Sequence, residues 1–180
     1  MPAMSSPTRS RSRQGAATKP AARSAVAALT LDAQLCFALY GASLAMTKRY
    51  RPLLEPLGLT YPQYLVMLAL WEEDGPNVSA LGARLGLDSG TLTPLLKRLE
   101  AQQLLQRLRA TDDERRVQVR LTGAGRMLRR RAQGVPAQMA ASTGCALDEL
   151  RALTATLHHL RLQLAANDEA TPADAAATAG

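Results

Sequence analysis

The segment from Ser79 to Gln103 constrains this chain more than any other. Two short helical patterns there are joined by only Gly86-Leu87-Asp88-Ser89. Gly86 is a helix stop, since the left-handed residue that closes a helix suits glycine. Leu92, Leu95, Leu96 and Leu99 then recur at three- and four-residue spacing and mark one apolar face of a second helix. Two helices with so tight a turn form a helix-turn-helix. Leu105 to Leu108 follows, then the charged stretch Arg109 to Arg116, then Val117, Val119 and Leu121 alternating with Gln118 and Arg120. A strand, a charged loop and an alternating strand predict a β-hairpin.

The flanks read as helices. Leu35, Leu39, Ala42, Met46, Tyr50 and Leu53 form a stripe within Leu31 to about Leu54, which Pro56 and Gly58 end. Thr60 caps a second helix with Pro62 near its start and an apolar body from Tyr64 to Trp71. Glu72 to Asn77 reads as a loop. Ser79 starts the short helix that runs to Leu85, and Ser89 starts the next, from Gly90 to about Gln103. Thr122 caps a helix expected to reach roughly Ala140. The last helix, about Leu147 to Ala165, carries Leu150, Leu153, Leu157, Leu160 and Leu164. Spacing of three and four in alternation is a coiled-coil seam, which predicts a homodimer. Packing inside one chain is the alternative for that seam.

The expected architecture is therefore mainly α with a small β-hairpin wing, a winged helix-turn-helix that dimerises through its N- and C-terminal helices. The expected organisation is a basic tail over 1–30, one domain over 31–166 and a second tail over 167–180. Both tails lack hydrophobic periodicity and read as disordered. The acid-free, Arg- and Ser-rich start also has the look of an organelle transit peptide, although a solvated tail is the plainer reading. With 180 residues, 47% of them hydrophobic, the chain suffices for one domain with a sizeable core. No run of about 18 or more apolar residues occurs, so no membrane span is expected and the protein is read as cytoplasmic. The two cysteines, Cys36 and Cys145, fit neither a zinc site nor a disulfide framework. No metal and no cofactor are expected.

Basic residues number 22 against 15 acidic ones, a net charge of +7, which favours a polyanionic partner. Five of the basic residues, Arg9, Arg11, Arg13, Lys19 and Arg23, lie in the first tail. In a winged helix the second helix enters the DNA major groove by its N-terminal end. Ser89, Thr91 and Thr93 stand there, with hydroxyls suited to base edges or phosphates. Ser89 reads equally well as a plain N-cap. Lys97 and Arg98, one turn on, suit phosphates. In the hairpin loop, Asp113 is placed to hold Arg115 in one rotamer as it enters a narrow minor groove. A solvated charged turn is the bland alternative.

The stretch from Leu31 to about Arg131 resembles the MarR family of winged-helix regulators, and within it the organic hydroperoxide resistance regulators, the OhrR group. Three segments carry the resemblance: Gln34 to Tyr40 around Cys36, Leu59 to Tyr64, and Leu87 to Arg98. The Asp-x-Arg pair of the wing, Asp113 and Arg115, matches the family's wing motif. The resemblance implies a repressor that binds a pseudo-palindromic double-stranded DNA operator and senses organic hydroperoxides by oxidation of Cys36. It implies that Tyr50 and Tyr61 hydrogen-bond the Cys36 thiolate. Fourteen positions on one helix are roughly 21 Å of rise, so a Tyr50 that touches Cys36 must come from the partner copy. Tyr40, one turn along, is the neighbour available within one chain. Two-cysteine members carry a resolving cysteine before the last helix, where Cys145 lies; Ala141, one turn earlier, is not cysteine. The alternative to an intersubunit Cys36–Cys145 disulfide is pairing of Cys36 with a small cellular thiol.

Two other readings compete. One is a repressor of the same family released by a small aromatic ligand, with Cys36 a core residue. The other is a thiol peroxidase. It is disfavoured because the chain has no Cys-x-x-Cys, and His158 and His159 sit on the seam-bearing last helix. The protein is expected not to be an enzyme.

Overall fold

The computed structural model describes residues 29–109 and 117–169. By contacts the chain divides into two units, Met1–Leu44 and Ala45–Gly180. The described part of the first unit begins with a 3-10 turn, Leu31–Ala33, that ends at Gln34 in extended conformation. Helix α1, Leu35–Leu54, starts only after that break. Its side chains Leu35, Phe37, Tyr40 and Leu44 are all exposed.

The second unit holds the core. A 3-10 turn, Glu55–Leu57, closes on left-handed Gly58 and leads into helix α2, Tyr61–Glu72. The Gln63 side-chain oxygen accepts hydrogen bonds from the Thr60 backbone N–H at 2.8 Å and hydroxyl at 3.0 Å, tying down the helix start. Tyr64, Val66, Met67, Ala69, Leu70 and Trp71 bury nearly the whole circumference of α2, which is therefore the central helix. Helix α3, Val78–Leu85, is capped by Asn77, not begun by Ser79: the Asn77 amide oxygen accepts from the Ala80 N–H at 2.7 Å. Gly86 closes it at φ +65°. Helix α4, Ser89–Ala101, follows after two residues and buries Leu92, Leu95, Leu96 and Leu99, the face the spacing marked.

Strands β1, Leu105–Arg109, and β2, Val117–Leu121, pair antiparallel with Leu105 opposite Leu121 and Arg109 opposite Val117. The segment between α2 and α3 braces β2. Gly75 N–H donates to the Val119 carbonyl, Val119 N–H to the Pro76 carbonyl, and Leu121 N–H to Asp74 Oδ1 at 2.8 Å. The described residues contain the expected mainly α, winged helix-turn-helix architecture.

The helix expected from Thr122 to about Ala140 is two helices, α5 (Gly123–Ala132) and α6 (Val135–Thr143). Pro136 is the reason. It has no N–H to give the Ala132 carbonyl, and its ring would clash there, so the helix stops at Ala132 and restarts. Gly125 in α5 packs so tightly that a Cβ would lie 2.0 Å from the Leu104 carbonyl oxygen. Helix α7, Leu147–Glu169, runs past Ala165 and buries no residue among those described. The seam residues Leu153 and Leu164 are 55% and 58% exposed. No helix among the described residues is long and apolar enough to cross a membrane. Most of both expected tails lies outside the described residues.

Candidate nucleic-acid interface and cysteine site

The start of α4 is built by Asp88. Its carboxylate accepts the Thr91 N–H at 2.8 Å through Oδ1 and the Thr91 hydroxyl at 2.9 Å through Oδ2. These bonds, the Thr91 N–H first, hold the Asp88 carboxyl below its ordinary pKa. Asp88 is thus the cap, which corrects the expectation for Ser89. Ser89 is left at the first helical position, exposed. The Thr91 hydroxyl donates its one hydrogen bond to Asp88, so its remaining capacity is as an acceptor. Thr93 is half-buried and lines a groove of about 310 Å³ with Asn77, Ser79, Leu96 and Arg107. Lys97 and Arg98 are exposed. Asp113 and Arg115 lie outside the described residues.

Sequence reasoning missed the group that joins this helix to the hairpin. Glu100, near the end of α4, accepts the Arg107 backbone N–H at 2.9 Å, its Nε–H at 2.9 Å and its Nη2–H at 2.6 Å. Those bonds draw the Glu100 carboxyl below its ordinary pKa, the Arg107 side chain most of all. An acid on a helix and an arginine seven positions on gave no local signal, because the two meet only after the chain reverses at Gln103, at φ +58°. A second missed pair is Asp74, which takes Arg126 Nη1 at 3.4 Å as well as the β2 N–H.

Tyr50 on α1 and Tyr61 at the start of α2 are brought together, with ring centroids 4.7 Å apart. Tyr64 stands 5.9 Å from Tyr50 and 6.2 Å from Trp71. Burial, reinforced by the neighbouring Tyr61 and Tyr64 phenols, pushes Tyr50 up to about 12. Burial also raises Tyr61 and Tyr64. At neutral pH all three therefore keep their protons and remain hydrogen-bond donors. Trp71 Nε1–H in turn donates to the Gly125 carbonyl at 2.9 Å.

Cys36 is exposed at the second position of α1, fourteen positions before Tyr50 in sequence. Cys145 is exposed in the turn before α7, just after left-handed Gly144. Its N–H donates to Thr143 Oγ1 at 3.2 Å. Among the described residues no group of His, Cys, Asp and Glu of metal-binding size occurs.

A family model described as transcriptional regulator SarA/Rot matches residues 48–131. The chain is 50% identical over 147 residues to the HTH-type transcriptional regulator TtmR of Methylorubrum extorquens, spanning 82% of this chain and 75% of that one. It is 45% identical over 132 residues to the organic hydroperoxide resistance transcriptional regulator of Bacillus subtilis, spanning 73% and 90%. Among solved structures, reduced AbfR bound to DNA matches with a TM-score of 0.66 at 32% identity, over 79% of this chain and 99% of that one. AbfR, from Staphylococcus epidermidis, has also been solved overoxidized on DNA and with a disulfide formed.

Proposed function

Because this chain belongs to the MarR family of winged-helix transcriptional regulators, in its organic hydroperoxide resistance group, we propose that it is a dimeric repressor that leaves its operator when Cys36 is oxidised. It is a transcriptional regulator and not an enzyme. The observation that carries the redox reading is the half-buried tyrosine pair. Tyr50 and Tyr61 stand 4.7 Å apart with phenols that stay protonated, so both offer O–H donors to a thiolate. A thiolate that accepts such bonds is favoured over the thiol, and the thiolate is the species that attacks peroxide.

Dimerisation brings the parts together. Helices α1 and α7 carry the exposed apolar rows that a second copy would cover. Fourteen positions along α1 keep Tyr50 from the Cys36 of its own chain, so the partner copy supplies the phenols. The thiolate sulfur attacks the distal peroxide oxygen, the O–O bond breaks, and the alkoxide takes a proton and leaves as the alcohol. Cys36 becomes a sulfenic acid. The Cys145 thiolate of the partner copy then displaces hydroxide from that sulfur, which leaves as water after protonation, and an intersubunit disulfide forms. DNA binding uses Ser89, Thr91, Thr93, Lys97 and Arg98 of α4 in the major groove, with Asp113 and Arg115 in the wing. Oxidation repacks the dimer, so the two copies of α4 no longer match successive major grooves about 34 Å apart on a pseudo-palindromic site.

The test is a reporter gene placed behind the DNA upstream of this protein's own gene. Induction by cumene hydroperoxide in the wild type, and none in Cys36→Ser, is the expected result. Induction by an aromatic carboxylic acid that survives Cys36→Ser would establish a ligand-released repressor instead.

A further inference from the structure

A winged helix must present two elements to DNA at once, and each is anchored differently here. Strand β2 is fixed by backbone bonds from Gly75 and Pro76 and by the Asp74 carboxylate. Strand β1, which leads into the wing loop, has its side-chain link to α4 at Glu100. One carboxylate there gathers three N–H donors of Arg107, at 2.9, 2.9 and 2.6 Å, across seven residues of chain. Both side chains are about one-third exposed. The planar guanidinium fork fixes direction as well as distance, which a lysine would not. Arg107 sits at the centre of β1, opposite Val119, two residues before the strand ends at Arg109. It also lines the groove that Thr93 of α4 lines, so the pair stands where helix and wing face each other.

We infer that Glu100 is a specificity-determining positioning residue: by clamping Arg107 it sets the wing strand against the recognition helix, so that both address one site on DNA. This rests on the DNA-binding reading above. The charges give the inference an unusual signature. Glu100 places a negative charge on the helix that faces phosphates, and removing it adds one net positive charge per copy. Counterion release then makes binding to any DNA stronger or leaves it unchanged. Discrimination, in contrast, needs helix and wing in register and should fall. Loss of a merely structural contact would weaken both kinds of binding together.

The experiment uses full-length reduced protein and two fluorescent duplexes of equal length. One is enriched from a random pool by the wild type, and the other is an unenriched sequence. For Glu100→Gln, the expected result is unenriched-duplex affinity equal to or above wild type, with the affinity ratio between duplexes down about tenfold. Arg107→Lys, which keeps the charge and loses the fork, should lose part of that ratio. Affinity for both duplexes rising equally in Glu100→Gln, with the ratio unchanged, would overturn the inference. Equal weakening on both duplexes, with a lowered thermal midpoint, would overturn it too and assign Glu100 to stability alone. Failure of the wild type to enrich any sequence would instead remove the DNA-binding reading itself.

Discussion

Helices α4 and α7 are both written with leucines at three- and four-residue spacing, and they end in opposite states. In α4 every leucine of the stripe is buried, Leu92, Leu96 and Leu99 almost completely. In α7 no described residue is buried, and Leu153 and Leu164 are more than half exposed. A leucine stripe therefore specifies a face and leaves open what fills it. The body around α2 satisfies its own apolar faces. The outer part of α1 and α7 leave theirs largely exposed. On our account that division is functional: the self-sufficient body reads DNA, while the flanks, with Cys36 on α1 and Cys145 in the turn before α7, respond to oxidation.

The largest effect that could break this contrast lies in the body. Gly125→Ala would set a Cβ 2.0 Å from the Leu104 carbonyl oxygen, so α5 or the α4–β1 junction must move. The expected cost is about 3 kcal/mol or more, as for severe overpacking, read as a drop in the thermal midpoint. An unshifted midpoint would mean the body is looser than described. Next comes Leu157→Asp on the α7 seam. It should weaken self-association at least about a hundredfold in sedimentation while cooperative unfolding persists. Loss of folding without change of assembly would reverse the roles given to the two regions.

Two smaller effects sharpen the account of the body. Trp71→Phe removes the N–H that reaches the Gly125 carbonyl from outside helix α5, together with part of a buried ring. It should lower stability by about 1–2 kcal/mol in urea titration. Asp88→Asn keeps a capping oxygen but removes the charge of a carboxyl that Thr91 holds below its ordinary pKa. The contribution is full above the ordinary carboxylate range and is lost as pH falls through the lowered folded-state value. The thermal midpoints of wild type and Asp88→Asn should thus differ at pH 7 and converge in acid. A gap that stays constant with pH would remove the charge from the explanation.

What the sequence makes legible divides along the same line. The helix-turn-helix and hairpin follow from local signals: Gly86, the α4 stripe, and the alternation of Val117 to Leu121. The buried faces follow too, because each local period had a matching core to meet. Three expectations were displaced by single residues. Asp88 and Asn77 win the capping positions from Ser89 and Ser79 because each accepts the N–H three residues on, at 2.8 and 2.7 Å. Pro136 divides a helix whose apolar periodicity alone would run on. What could not be read were pairings between residues remote in sequence, such as Glu100 with Arg107, Asp74 with Leu121 and Trp71 with Gly125. The close Tyr50–Tyr61 contact was implied only through the family resemblance, since no local period joins the end of one helix to the start of the next.

The central claim is that chemistry at one flank cysteine controls what the body does to DNA. Its most direct measurement is fluorescence anisotropy of the reduced protein on its own upstream DNA at fixed salt, followed by about one equivalent of cumene hydroperoxide. The account predicts that the wild type releases the duplex, that a thiol reductant restores binding, and that Cys36→Ser stays bound throughout. A wild type that remains on DNA after Cys36 is oxidised, as verified by mass spectrometry, would contradict it.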